Sequence, residues 1–167
     1  MYYHKIDKCS ISNGLGIRTV LWVSGCSHCC RNCHNPQTWI GDSGKLFDDK
    51  AKAELFENLS KPYVHGITFS GGDPLYPTNR KEVTHLSNEI HSLFPNKNQW
   101  LYTGYTWEEI VTDSIMRNAI QDIDIVVDGE YVEELRDITL PFRGSSNQRI
   151  IDVKHSLQEN KIMEYKV

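Results

Sequence analysis

Four runs of β-branched and large apolar residues, each halted by a glycine, limit the folds open to this chain. They are Ile17-Arg-Thr-Val-Leu-Trp-Val-Ser before Gly25, Gly66-Ile-Thr-Phe-Ser before Gly71-Gly72, Gln99-Trp-Leu-Tyr-Thr before Gly104, and Asp122-Ile-Asp-Ile-Val-Val before Asp128-Gly129. Short runs of this composition with turn residues at their ends read as buried strands. The segments between them change period. From Asp48 to Ser60 the apolar residues Ala51, Leu55 and Leu59 recur every fourth position, Asp48 and Asp49 stand where a cap is needed, and Pro62 closes the segment, which predicts a helix. A second helix is predicted over Thr78 to Phe94, with Val83, Leu86, Ile90 and Leu93 on one side, and a third over Thr106 to Ala119. Arg149-Ile-Ile-Asp-Val offers a fifth strand.

Strands alternating with helices through short connections predict an α/β fold with parallel strands and right-handed crossovers. Eight such units need about 250 residues, so a chain of 167 is expected to form an incomplete, open parallel (β/α) barrel. Ligands in such sheets bind at the carboxyl ends of the strands. Every conspicuous group falls there: Gly25-Cys26, Gly71-Gly72-Asp73, Thr103-Gly104-Tyr105 and Asp128-Gly129. Their shared position predicts one site.

With 39% hydrophobic residues and no repeat or linker, the chain is expected to form a single domain over 1–167, in which 155–167, around Gln158-Glu-Asn-Lys, reads as a polar tail. A net charge of −4 argues against nucleic acid as a partner. The N-terminus lacks the apolar core of a secretory signal, and no stretch approaches the ~18 apolar residues of a membrane span, so a cytoplasmic protein without a membrane partner is expected.

Of five cysteines, four crowd into positions 26 to 33, a distribution that suggests metal or redox chemistry rather than a disulfide framework. Two pairings compete within Cys26-Ser-His-Cys-Cys-Arg-Asn-Cys. Cys26 and Cys29 with Cys30 and Cys33 would make four zinc ligands, but the two halves abut with no residues between them to turn back on. Cys26, Cys30 and Cys33 instead form one loop able to wrap three corners of a [4Fe-4S] cluster, leaving one iron open for a ligand's amine and carboxylate. That choice leaves Cys29, with the distant Cys9, as free thiols. His28 and His34 read as neighbours of the loop rather than ligands.

The other groups have plain readings of their own. Gly71-Gly72 suits a tight strand-to-helix turn and Asp73 a helix cap. Tyr105 suits a packed aromatic, and Arg143-Gly-Ser-Ser-Asn-Gln a turn. Asp128 ends an apolar strand and needs a partner, solvent or a cation. Asn13-Gly-Leu-Gly lacks the lysine of a phosphate-binding loop and reads as a turn.

The spacing Cys26-x3-Cys30-x2-Cys33 and the stretch Gly71-Gly72-Asp73-Pro74 resemble the two signatures of the radical S-adenosylmethionine superfamily. More narrowly, Val23-Ser-Gly-Cys26, Cys33-His-Asn-Pro-Gln-Thr-Trp39, Ser70-Gly-Gly-Asp-Pro-Leu75, Trp100-Leu-Tyr-Thr-Gly-Tyr105, Val127-Asp-Gly and Arg143-Gly-Ser-Ser-Asn-Gln148 resemble the activating proteins of anaerobic ribonucleotide reductase. His34 in place of the family's frequent tyrosine, the extra Cys29, and Leu15 within Asn13-Gly-Leu-Gly are departures. None touches a presumed cluster ligand.

The resemblance implies a barrel of the radical-SAM type and two cofactors, a [4Fe-4S] cluster on Cys26, Cys30 and Cys33 and S-adenosylmethionine. It implies cofactor contacts for His34, Asn35, Gly71, Gly72 and Asp73, the last three at the methionine amino end. It implies contacts from Thr103, Gly104 and Tyr105 to the ribose or adenine, and further roles for Asp128, Arg143 and Asn147. The implied reaction is reductive cleavage of S-adenosylmethionine, leading to a glycyl radical on the large subunit of the anaerobic reductase. The implied partners are that subunit and a flavodoxin or similar low-potential electron donor, and a homodimer within the complex is compatible. The alternatives are action on another glycyl-radical enzyme or a small molecule, and a zinc-binding interaction module without catalysis.

Overall fold

Three of the predicted strands form over nearly their whole length and the fourth over its last residues, because β-branched residues suit a sheet whose faces are both covered. The computed structural model describes Met1–Val167. Its strands are β1 (Tyr2–Ser10), β2 (Arg18–Val23), β3 (Lys45–Leu46), β4 (Gly66–Gly71), β5 (Asn98–Tyr102), β6 (Ile125–Asp128) and β7 (Arg149–Asp152). Its helices are α1 (Asp49–Leu59), α2 (Arg80–Leu93), α3 (Trp107–Thr112), α4 (Ser114–Ala119) and α5 (Val153–Glu159). One sheet holds all strands in the order β3-β1-β2-β4-β5-β6-β7.

The middle strands β2, β4, β5 and β6 are parallel and adjacent in chain order. Their crossovers all step in one direction, so crossovers of one hand place every helix on the same face. The main core shows this. Leu21, Ile67, Phe69, Leu101 and Val126 of the strands share one buried cluster with Leu55 and Leu59 of α1, Val83, Leu86 and Ile90 of α2, Ile110 of α3 and Met116 of α4. The opposite face carries a smaller cluster, Trp100, Ile125, Val127 and Ile150, packed by Tyr102, Phe142 and Tyr165.

At the amino ends of the strands this second face is plugged by Arg18. Its guanidinium is fully buried, donating from Nε to Thr68 Oγ1 at 2.7 Å and from Nη1 to Asn98 Oδ1 at 2.6 Å, and it lies 5.3 Å from the Trp100 ring. Burial lowers its pKa to about 10, so it remains charged at neutral pH. Gly14, at φ +125°, fits beneath it because a Cβ there would stand 2.8 Å from the Trp100 ring. Asn13-Gly-Leu-Gly is thus a structural turn at the far end from the strand-end glycines.

Four features depart from the sequence reading. The polar alternation of Tyr2–Ser10 conceals a strand, β1, which pairs antiparallel with both β2 and β3. The helix expected over Thr106 to Ala119 is two, because Asp113 turns to ψ 115° and its carboxylate accepts from Ile115 N and Met116 N to cap α4. The strand Arg149–Asp152 is antiparallel to β6, since no crossover helix lies between them. Residues 155–167 are docked rather than a loose tail: α5 runs to Glu159, Tyr165 N donates to Ile150 O at 2.7 Å, and the Tyr165 ring meets Trp100 at 6.1 Å.

Candidate metal centre at the strand ends

Past Val23 the chain leaves the sheet and returns to it around the cysteines. Gly25 N donates to Thr38 O at 2.7 Å and Cys26 N to Trp39 O at 3.0 Å, so the loop's two ends are stitched together beside β2. Within the loop Cys29 and Asn32 adopt left-handed backbone, φ +49° and +58°. This curl separates the thiols. Cys26, Cys30 and Cys33 are half-buried on the wall of one cavity of about 220 Å³, whereas Cys29 and Cys9 are exposed, and all five are free.

The same cavity is lined by His34 and Asn35 after the loop, Gly71, Gly72 and Asp73 after β4, Thr103 and Gly104 after β5, and Arg143 before β7. The expected gathering at strand ends therefore holds for these residues. Three others lie elsewhere. Tyr105 packs edge-on to His28 at 4.7 Å and receives the Arg80 guanidinium at 5.6 Å on its ring. Asn147 donates to Glu130 O at 2.8 Å. Asp128 is fully buried and accepts from Trp107 N at 2.7 Å and Arg149 Nε at 3.1 Å, so the partner its carboxylate needs is an arginine. Arg149 also reaches Glu108 at 2.8 Å.

Asp73 lines the cavity, but its carboxylate is directed into the protein. It accepts from Leu75 N at 2.8 Å, Thr103 Oγ1 at 2.9 Å, Gly104 N at 3.0 Å and His28 Nε2 at 2.9 Å. His28 also bonds Glu130 through Nδ1 at 2.8 Å. The bond to Asp73, then that to Glu130, outweigh burial and raise the His28 pKa to about 9.

The thiols suit a cation. Burial pushes Cys26 up to about 11 and raises Cys30, so a free thiolate is disfavoured there and ligation by iron would relieve it. Asn35 N points at Cys33 Sγ at 3.3 Å, a donor of the kind that supports cluster-bound sulfur. No three His, Cys, Asp or Glu side chains converge on the position of a single ion. A closed zinc site needs such convergence within about 2.3 Å of one ion, whereas a four-iron cubane takes each thiolate on a different iron.

A sequence model of the 4Fe-4S single cluster domain matches residues 12–151, from before β2 into β7. The anaerobic ribonucleoside-triphosphate reductase-activating protein of Enterobacteria phage T4 is 42% identical over 150 residues, covering 90% of this chain and 93% of its own. The activating proteins of Pasteurella multocida and Escherichia coli K12 are 36% and 37% identical, over 90% and 89% of this chain and 96% of each relative. The chain belongs to this family of activating proteins. As a family member it carries a 4Fe-4S cluster domain; Cys26, Cys30 and Cys33 are the cysteines that line the cavity.

Several cavity residues escaped the sequence reading. Trp39 and Gln148 lie inside stretches that carry the resemblance, so position could have found them. Tyr102 sits on the inward face of β5, donates to Phe142 O at 2.9 Å, and has its pKa pushed up by burial. Tyr131 comes from the long segment between β6 and β7, which carries no periodic signal at all.

Proposed function

We propose that this chain is a radical S-adenosylmethionine activase that generates a glycyl radical on an anaerobic ribonucleoside-triphosphate reductase. The observation that carries the reading is the juxtaposition of three half-buried thiols with side-chain-free backbone, Gly71-Gly72, on one cavity wall. Cys26, Cys30 and Cys33 would hold the cluster and leave one iron without a protein ligand. Gly71 and Gly72 lie on the cavity wall, where backbone carbonyls can receive an ammonium, while a Cβ on either would meet the backbone of Val23, Gly25 and Thr38. Arg143 brings a guanidinium to the cavity, and its positive charge suits a ligand carboxylate. A reduced cluster held by Cys26, Cys30 and Cys33 would supply the electron for cleaving S-adenosylmethionine at its C5′–S bond into methionine and the adenosyl fragment that would take hydrogen from a glycine of the protein substrate.

The same reading treats the sheet as an open barrel of the radical-SAM type. Sequential order of the parallel strands and helices on one face support this, since a doubly wound sheet reverses its order and carries helices on both. The reductase as partner is supported by the relatives' activity. A flavodoxin-like electron donor and a cytoplasmic address complete the proposal. No helix is long and apolar enough to cross a membrane.

Anaerobic reconstitution followed by measurement of iron, sulfide, visible absorbance and reductant-dependent 5′-deoxyadenosine tests the reading. Adding the reductase large subunit should then give a glycyl-radical EPR signal. A colourless, folded protein with one tightly held zinc and no cleavage would overturn it in favour of an interaction module. Cleavage without a radical on the reductase would assign the chemistry to another substrate.

A further inference from the structure

The cysteine loop has little of its own to hold it. Residues 27–34 contain a single backbone–backbone hydrogen bond, Cys33 N to Cys30 O at 3.1 Å. Two left-handed residues, Cys29 and Asn32, interrupt any local preference. Arg31 reaches Glu134 at 3.0 Å, but both side chains are about two-thirds exposed or more, and ion pairs of that kind contribute little.

His28 is placed differently. Its side chain is only 10% exposed, with Nε2 2.9 Å from Asp73 Oδ2 and Nδ1 2.8 Å from Glu130 Oε1. Asp73 follows β4 and is itself bonded to Thr103 and Gly104 after β5, while Glu130 stands just past β6. One imidazole therefore joins the loop to the ends of three parallel strands. The fold makes room for it: a Cβ on Gly104 would stand 2.5 Å from the imidazole Cδ2.

We propose that His28 is a positioning residue whose bridge between Asp73 and Glu130 holds Cys26 and Cys30 against the cavity before any metal arrives. Its consequence for cluster retention rests on the function proposed above; its effect on the loop does not. The bridge also occupies the Asp73 carboxylate, which explains why that group faces inward.

The test compares metal-free wild type, His28→Gln and Glu130→Gln by alkylation of each cysteine under reducing conditions, read by mass spectrometry. Cys9, exposed on β1 and remote from the loop, is the internal standard. In His28→Gln, Cys26 and Cys30 should react about tenfold faster relative to Cys9, as expected when a buried bridge that opposes local opening is lost. Glu130→Gln keeps the Asp73 contact and should give about threefold, the smaller effect of a partly exposed partner. Unchanged ratios in a folded His28→Gln overturn the proposal. Should that variant fail to fold, Glu130→Gln decides, because its side chain is 54% exposed and its loss leaves the core intact; unchanged ratios there overturn the proposal equally. On loaded protein, iron release to a chelator should follow the same order, and equal rates in all three proteins count against the proposal. A wild type that never loads iron sinks the proposed function and leaves the alkylation result standing.

Discussion

Replacing Gly72 with alanine places a methyl carbon 2.5 Å from the carbonyl oxygen of Gly25, 2.9 Å from its carbon, and 3.0 Å from the carbonyl oxygen of Thr38. All three are backbone atoms at the two ends of the cysteine loop, joined there by Gly25 N to Thr38 O. Carbon and oxygen rarely approach closer than about 3.3 Å, so the contact must open by roughly 0.8 Å. Overpacking of this kind costs about 1–3 kcal/mol. For a chain of this size about 2 kcal/mol corresponds to a melting temperature roughly 4–8 °C lower.

The effect on the site should exceed the effect on the fold. Cluster ligands tolerate displacements of only about 0.2 Å, and the strain falls next to Cys26, so Gly72→Ala should lose most of its iron while still folding. Two controls separate site from backbone. Gly41→Ala meets only the Tyr76 ring, at 3.2 Å, which can yield, and both melting and iron should stay near wild type. Gly129→Ala, also on the cavity wall, makes only ordinary contacts, the nearest with Asn147 Nδ2 at 3.8 Å, but has φ +90°, so it should cost about 1 kcal/mol in backbone strain without displacing the ends of the cysteine loop. Thermal melting of the apo-protein and iron assay after reconstitution check these values. If Gly72→Ala melts within about 1 °C of wild type and retains full iron, the close approach of the two strand-end loops is not the constraint described here.

Cys26→Ala, Cys30→Ala and Cys33→Ala should each abolish reductant-dependent cleavage of S-adenosylmethionine, and Cys29→Ala should retain most of it; loss in Cys29→Ala with activity kept in Cys30→Ala would show the wrong pairing. In apo-protein the buried Cys26 thiol, with its pKa near 11, should be about one part in a thousand thiolate at pH 8. Its alkylation should therefore climb about tenfold per pH unit up to pH 10, and rapid, pH-independent labelling would contradict that burial. Asp128→Asn removes the buried charge facing Arg149 and Trp107 N, and should destabilise by about 2–3 kcal/mol, discounted for the solvent access of Arg149. Iron content should be unaffected; loss of the cluster at an unchanged melting temperature would instead put Asp128 in the cofactor site.

The parallel strands and the cavity at their carboxyl ends were largely legible because two local signals coincide at each strand end. A β-branched run followed by glycine marks where a strand stops, and every such stop bears a polar or thiol-containing turn. β1 escaped because an antiparallel strand near a sheet edge needs only half its residues buried, so Tyr2–Ser10 shows polar alternation and no apolar run. Tyr165 escaped because one aromatic in a polar stretch has no period; only the cluster around Trp100 on the second face gives it a place.

Spacing, together with the open iron it would leave, favoured Cys26, Cys30 and Cys33 over the pairing that includes Cys29, since how far apart thiols sit along a loop is a property of the chain. Which way each side chain points is not. Asp73 and Asp128 look alike in sequence, carboxylates ending apolar strands, and both turn inward, Asp73 to His28, Thr103 and Gly104, and Asp128 to Arg149 and the amino end of α3. Those partners are 21 to 45 residues away along the chain, and a charge removed from water is settled by whatever donors the fold brings to it. Local pattern determined the strands, the thiols and the glycines; the assembly of strand ends alone decided which polar groups face the cavity and which hold it together.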